Sequence, residues 1–133
     1  MRFSTADLNA VTELKLDVLI VEDEPTARRA LGTLLSAFGY HTDAVSSAED
    51  ALKHVKKDGN PTVALVDLDL PGMSGLELIE RLKVLSPTTF PVLITAAAQE
   101  VVESVRRRPP LAYMQKPVDF ERLLTLLDAH GRS

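Results

Sequence analysis

Residues 63–75 read VALVDLDLPGMSG, and this stretch decides the fold class. Four apolar residues followed by Asp67 predict a buried strand that presents a carboxylate at its end. Pro71, Gly72 and Gly75 come soon afterwards, so the chain is predicted to turn there. A carboxylate at the carboxyl edge of a sheet can bind a metal ion, act as a nucleophile, or do both. Asp67 is therefore the first candidate for a functional residue.

Apolar runs of this kind alternate with segments of helical periodicity along the chain. The predicted strands are Asp17–Glu22, Tyr40–Val45, Val63–Asp67, Pro91–Thr95 and Ala112–Gln115. The predicted helices are a segment from Pro25 that stops at Gly39, one capped by Ser46 or Ser47 that ends near Lys57, Gly75–Leu85, Gln99–Arg108, and a last helix capped by Asp119. Such alternation predicts a parallel sheet covered on both faces. We therefore expect an α/β, flavodoxin-like (βα)5 doubly wound sheet with strand order 2-1-3-4-5.

Length and composition fit one globular domain, which we place at residues 17–130, after an extension at 1–16 and before a tail at 131–133. The chain lacks cysteine, which excludes disulfides, thiolate catalysis and zinc–thiolate sites. A net charge of −4 argues against direct contact with nucleic acid. No apolar run approaches the ~20 residues that span a bilayer, and the first residues lack the apolar region of a signal peptide. We therefore expect a cytoplasmic domain without membrane contact.

The expected strand order places several carboxylates at one edge of the sheet. Glu22 and Asp23 follow the first apolar run, and Asp67 follows the third, which is its neighbour in this order. Three carboxylates so close together repel one another, and a hard divalent cation such as Mg²⁺ would relieve that repulsion. A zinc site is not expected, because the histidines are scattered along the chain.

Thr95 and Lys116 extend this group, since they end the fourth and fifth strands. A phosphoryl group is the ligand that would use a divalent cation, a hydroxyl and a lysine together. The Lys116 ammonium would neutralise charge on the phosphoryl oxygens, and the Thr95 hydroxyl would donate to another oxygen. Asp67 would then be the nucleophile that forms an acyl phosphate. No Walker or dinucleotide-binding motif is present, which argues against a nucleotide site.

Together these motifs resemble the CheY-like receiver domain of response regulators in bacterial two-component systems. The matching segments are Val21-Glu22-Asp23-Glu24, Asp67, Pro71-Gly72-Met73-Ser74-Gly75, Thr95-Ala96 and Tyr113-Met114-Gln115-Lys116-Pro117. Each segment alone is weak, but all of them occur in order over nearly the whole chain. The resemblance implies a phosphoprotein that receives its phosphoryl group from a sensor histidine kinase or a phosphotransfer protein. Its phosphorylated form would bind a downstream protein effector, and it would catalyse only its own phosphorylation and dephosphorylation.

The resemblance also implies which residues hold the metal ion and the phosphoryl group. Asp67 would be the phosphoacceptor and a ligand of Mg²⁺. Asp23 would bind the ion directly, Glu22 would bind it through water, and Asp69 would offer its backbone carbonyl oxygen.

The remaining matches imply a conformational switch. Thr95 and Lys116 would contact the phosphoryl group, and Ala96 would keep the phosphoacceptor accessible beside them. Tyr113 would swing inward on activation as Thr95 moves toward the phosphate. Pro117 would follow a cis peptide bond, since proline is where such bonds occur.

Two alternatives remain open, and so does the formation of a homodimer. The run Asp67-Leu68-Asp69 also resembles the Asp-x-Asp start of haloacid-dehalogenase-like phosphatases, which use an aspartate nucleophile and Mg²⁺. In those enzymes the motif ends the first strand and further metal-binding acids come late, whereas here Glu22 and Asp23 come early. The other alternative is a receiver-like binding module that is never phosphorylated, against which the complete acid set and Lys116 argue.

Overall fold

The computed structural model describes residues 16–96 and 112–131 of the chain. Its strands are β1 (Asp17–Val21), β2 (His41–Val45), β3 (Val63–Asp67), β4 (Phe90–Thr95) and β5 (Ala112–Gln115). Its helices are α1 (Pro25–Ala37), α2 (Ala48–Asp58), α3 (Gly75–Leu85) and α4 (Phe120–Gly131). The helix predicted at Gln99–Arg108 lies outside the described residues, as do residues 1–15 of the predicted extension.

All strands lie parallel in one sheet with the order β2-β1-β3-β4-β5, which confirms the predicted fold. Val21, the last residue of β1, pairs with Val45 on one side and with Val66 on the other. Asp67 pairs with Ile94 of β4. The carboxyl ends of β1, β3 and β4 therefore lie side by side at the position where the winding direction of the chain reverses, and ligands bind there in sheets of this type.

Each face of the sheet carries its own hydrophobic core, because successive side chains of a strand point to opposite faces. Leu19 and Val21 of β1 pack with residues of α2 and α3. Val18 and Ile20 pack on the other face with residues of α1 and α4. Both faces are thus covered, which explains why the strands read as continuous apolar runs rather than as alternating patterns.

Side chains with hydrogen-bond acceptors begin the helices, and they satisfy backbone N–H groups that have no partner within the helix. The Ser47 hydroxyl accepts a hydrogen bond from Asp50 N at 3.0 Å and caps α2, so Ser47 rather than Ser46 is the cap. Asp119 accepts one from Arg122 N at 3.3 Å at the start of α4. Pro25 occupies the first turn of α1, as predicted.

Element boundaries differ from the prediction by one residue in several places. β1 ends at Val21 and not at Glu22, although Glu22 N still donates to Val45 O at 3.1 Å. β2 begins at His41 rather than Tyr40, and β4 begins at Phe90 rather than Pro91. Within the described residues, no helix is both long enough and apolar enough to span a membrane.

Candidate functional site

The carboxyl edge of the sheet brings two buried acids onto one lysine. Asp67 at the end of β3 is 5% exposed, and Glu22 after β1 is 3% exposed. Lys116 Nζ lies 3.0 Å from Glu22 Oε1 and 3.1 Å from Asp67 Oδ2, so one ammonium group bridges both carboxylates. The second oxygen of each carboxylate accepts a backbone hydrogen bond, Asp67 Oδ1 from Asp69 N at 3.0 Å and Glu22 Oε2 from Glu24 N at 3.3 Å.

These contacts set the ionisation of the three side chains. Burial raises the pKa of Glu22 above its ordinary value of 4.5, and the hydrogen bond that it shares with Asp67 raises it further. Burial acts to raise the pKa of Asp67 as well, but hydrogen bonds with Glu22, Asp69 N and Lys116 hold it below its ordinary value of 3.8. Burial acts to lower the pKa of Lys116, yet the two carboxylates raise it above 10.5. At neutral pH, Asp67 is therefore a carboxylate and Lys116 is an ammonium ion.

Asp23 joins the two buried acids to form an acidic cluster. Glu22, Asp23 and Asp67 each contribute a carboxylate oxygen, and these oxygens lie within 4.8 Å of one another. Two members are buried and Asp23 is exposed, so the cluster opens to solvent on one side. A donor set of oxygens beside water fits Mg²⁺, which prefers a few carboxylates and keeps several waters. Asp69 N donates a hydrogen bond to Asp67, which holds the two residues side by side. That the carbonyl oxygen of Asp69 binds the metal ion stays a prediction.

Thr95 and Lys116 reach the same edge from the neighbouring strands. Thr95 ends β4 and is fully buried, and its carbonyl oxygen accepts a hydrogen bond from Lys116 N at 2.8 Å. The peptide bond between Lys116 and Pro117 is cis, as predicted. Ala96 follows Thr95 and is exposed. Tyr113 of β5 pairs in register with Leu93 and packs, half-buried, against the core beneath α2 and α3.

Hydrogen bonds order the loop between β3 and α3, which follows Asp67. Gly75 N donates to Leu68 O at 3.1 Å, so the loop between β3 and α3 closes on itself. Gly72 has a φ of 75°, in the left-handed region that favours glycine. Glu49 of α2 accepts a hydrogen bond from Met73 N at 3.3 Å, which ties this loop to the preceding helix.

Three residues near the site were not predicted from the sequence. Glu24 accepts hydrogen bonds from Thr26 N at 3.1 Å and Ala27 N at 2.7 Å, and these bonds lower its pKa and cap α1. Arg28 Nη1 donates to the carbonyl oxygens of the turn between β1 and α1. Glu49 holds the loop described above. Only Pro25 marks the start of α1 in the sequence, because glutamate is not a usual capping residue. Nothing in the sequence pattern points to the contacts of Arg28 or Glu49.

Comparison with known proteins identifies the family. The pattern of the response regulator receiver domain matches residues 18–128 of the chain. The chain therefore belongs to the response regulator receiver domain family, whose members act in two-component signalling.

The response regulator PhoP of Pseudomonas aeruginosa is 40% identical over 117 residues, and the match covers 86% of this chain and 51% of PhoP. A cyclic di-GMP phosphodiesterase of Thermotoga maritima is 37% identical over 117 residues, and the match covers 87% of this chain and 31% of that protein. The crystal structure of the T. maritima response regulator TrrA in complex with Mg²⁺-BeF has a TM-score of 0.75 at 27% identity, covering 86% of this chain and 98% of that one.

This chain spans about half of PhoP and less than that of the phosphodiesterase. The name phosphodiesterase therefore describes a much longer protein than the part that matches here. Receiver domains are generally signal transducers rather than enzymes. That this chain catalyses its own phosphorylation and dephosphorylation stays a prediction. The family assignment also means that the haloacid-dehalogenase-like phosphatase is not favoured.

Proposed function

We propose that this chain is a phosphorylation-dependent switch in which Asp67 accepts a phosphoryl group from a sensor histidine kinase or a phosphotransfer protein. The observation that carries this proposal is the contact of 3.1 Å between Lys116 Nζ and Asp67 Oδ2 inside an acidic cluster. A turn or capping aspartate needs neither a lysine in direct contact nor two further carboxylates with oxygens within 4.8 Å. Membership of the receiver family supports the same role, because response regulators work with histidine kinases and effector domains.

The proposed transfer begins with the ionised Asp67 carboxylate. Its lowered pKa keeps an electron pair available at neutral pH, and this pair forms the new bond to phosphorus. The phosphorus–nitrogen bond of the phosphohistidine donor breaks as the oxygen–phosphorus bond forms, and the imidazole leaves with the bonding pair. Later hydrolysis of the acyl phosphate releases inorganic phosphate and restores the carboxylate.

The acidic cluster is the proposed Mg²⁺ site. Asp23 and Asp67 would bind the ion directly, Glu22 through water, and Asp69 through its backbone carbonyl. When bound, the ion supplies positive charge that balances the carboxylates and the phosphoryl oxygens. The complex of TrrA with Mg²⁺-BeF supports this assignment, since TrrA has the same fold and 27% identity.

The proposed switch uses the ends of β4 and β5. Thr95 and Lys116 would contact the phosphoryl group, and Ala96 would leave space for it. Tyr113 would move inward as Thr95 moves toward the phosphate, with Pro117 shaping the chain after Lys116. A downstream protein effector would read the change. The cytoplasmic location and the absence of direct nucleic-acid contact stay predictions.

The direct test is phosphorylation by acetyl phosphate in the presence of Mg²⁺, followed by intact mass. We expect a gain of one phosphoryl group, which Asp67→Asn should abolish while circular dichroism shows an unchanged fold. Asp23→Ala should require a higher Mg²⁺ concentration for the same rate. A wild-type protein that is folded and binds Mg²⁺, but gains no mass, would show that the domain is a receiver-like binding module that is not phosphorylated.

A further inference from the structure

Arg28 lies near the start of α1, and its half-buried side chain folds back over the turn that carries the metal-binding acids. Its Nη1 atom donates to Glu22 O at 2.9 Å and to Asp23 O at 3.1 Å. This nitrogen carries two hydrogens, so both bonds can form at once. Arg28 N also donates to Glu24 O at 2.9 Å. Arg28 is therefore bonded to three consecutive carbonyl oxygens between β1 and α1.

The two acids of this turn differ in how their carboxylates are held. Both oxygens of Glu22 accept hydrogen bonds, one from Lys116 Nζ and one from Glu24 N. Asp23 is exposed, so the backbone that carries it is the part of this residue that the fold can hold in place. Arg28 bonds to the carbonyl oxygen of that residue and to the one before it, and therefore restrains the backbone from which the Asp23 side chain projects.

We propose that Arg28 is a positioning residue that preorganises the Glu22–Asp23 turn for the divalent cation. This inference rests on the proposed function, because it assumes that the acidic cluster binds Mg²⁺. Hydrogen bonds from a guanidinium group are stronger than neutral ones, and a site that is already ordered loses less entropy when its ligand binds. The bonds of Arg28 go to carbonyl oxygens, so they leave the carboxylate oxygens of the cluster available to the ion.

Charge alone predicts the opposite effect of removing Arg28. A guanidinium group close to the cluster repels a cation, so its loss should tighten Mg²⁺ binding if electrostatics dominated. The neighbouring Arg29 is exposed and provides the matched control. Arg29→Gln removes the same charge one position along the same helix and leaves the Arg28 hydrogen bonds in place. Removing Arg28 should therefore weaken Mg²⁺ binding if preorganisation dominates, and strengthen it if charge repulsion dominates.

The test is calorimetric titration of MgCl₂ into the unphosphorylated full chain, for the wild type, Arg28→Gln, Arg28→Lys and Arg29→Gln. We expect Arg28→Gln to bind Mg²⁺ about 3- to 10-fold more weakly than Arg29→Gln. Arg28→Lys keeps the charge and one donor group, and should recover part of the loss. A merely structural role would lower the melting temperature in EDTA and leave the Mg²⁺ affinity unchanged.

The inference is overturned if Arg28→Gln binds Mg²⁺ as tightly as Arg29→Gln, or if the wild type binds no Mg²⁺. If Arg28→Gln does not fold, Arg28→Lys decides. We expect this variant to bind Mg²⁺ more weakly than the wild type, and equal affinity of the two would overturn the inference. A wild type that binds Mg²⁺ but is not phosphorylated contradicts the proposed function alone, since a weaker Arg28→Gln would still support the positioning role.

Discussion

A side chain at Gly75 should displace its surroundings, because α3 begins against the backbone of Asp67, the proposed phosphoacceptor. A Cβ atom at Gly75 would lie 2.1 Å from Asp67 O, 2.8 Å from Asp67 C and 2.9 Å from Leu68 Cα. These neighbours are backbone atoms, so no rotation of a side chain relieves the overlap. Restoring ordinary van der Waals contact requires a displacement of about 1 Å, either of α3 or of the end of β3. Gly75→Ala should therefore move Asp67 relative to the other acids.

The size of the effect follows from two opposing contributions. Overpacking typically costs about 1–3 kcal/mol, while alanine gains less than the roughly 1 kcal/mol over glycine found in helix interiors, because Gly75 is the first residue of α3. We expect a net loss of about 1–2 kcal/mol in the free energy of unfolding, which leaves a domain of ordinary stability folded. The rate of phosphorylation should fall more than the stability, since displacing a reacting group by about 1 Å can cost on the order of 100-fold in rate.

Urea denaturation followed by circular dichroism measures the stability, and the rate of mass gain with acetyl phosphate measures the reaction. Gly32 in α1 is the matched control, because a Cβ atom there meets nothing within 4 Å. Gly32→Ala should stabilise the fold by about 0.5–1 kcal/mol and leave the rate unchanged. If Gly75→Ala has the stability and the rate of the wild type, the reasoning from this contact is wrong.

Three further predictions concern charge at the same site. In metal-free buffer, the Asp67 contribution to stability should be present above about pH 4 and lost as pH falls, because its pKa lies below the ordinary 3.8 and the unfolded chain takes up the proton first. The contribution of Glu22 to stability should depend on pH in the opposite direction, because its pKa lies above the ordinary 4.5. The wild type should therefore gain stability relative to Glu22→Gln as pH falls toward 4.5. Urea denaturation between pH 7 and 3 checks both predictions. Lys116→Met should cost about 1–3 kcal/mol in EDTA, because two buried carboxylates lose their shared ammonium group. Thermal melts should show that Mg²⁺ stabilises this variant more than the wild type, and equal stabilisation would contradict the prediction.

The sequence predicted the fold and the acidic cluster because both depend on strand ends. Continuous apolar runs specify a doubly covered parallel sheet, and its order then brings Glu22, Asp23 and Asp67 to one edge. The end of β1 was predicted one residue too far: the strand ends at Val21, although Glu22 is also buried and its N–H still donates to Val45 O.

Other features could not be read from residue patterns, because they depend on distances in three dimensions. The tight approach of Gly75 to Asp67 requires the actual angle between α3 and β3. The bonds of Arg28 to the carbonyl oxygens require a particular side-chain conformation. Lys116 was predicted only as a contact of the phosphoryl group. In the structure its ammonium group pairs with Glu22 and Asp67, since these buried anionic oxygens are within its reach.

In the proposed switch, this pairing connects a phosphoryl group on Asp67 to the ends of β4 and β5. Lys116 is joined to Thr95 through a backbone hydrogen bond of 2.8 Å, and its side chain reaches Glu22 and Asp67 across the sheet edge. New phosphoryl oxygens would compete with Glu22 for the ammonium group, because charge-assisted bonds favour the site with more negative charge. A shift of Lys116 Nζ would then act at the ends of β4 and β5. Thr95 at the end of β4 pairs with Gln115, which lies two residues after Tyr113 in β5. The same lysine that balances the acids before phosphorylation would thus link the new charge to the strand that carries the proposed switch residue.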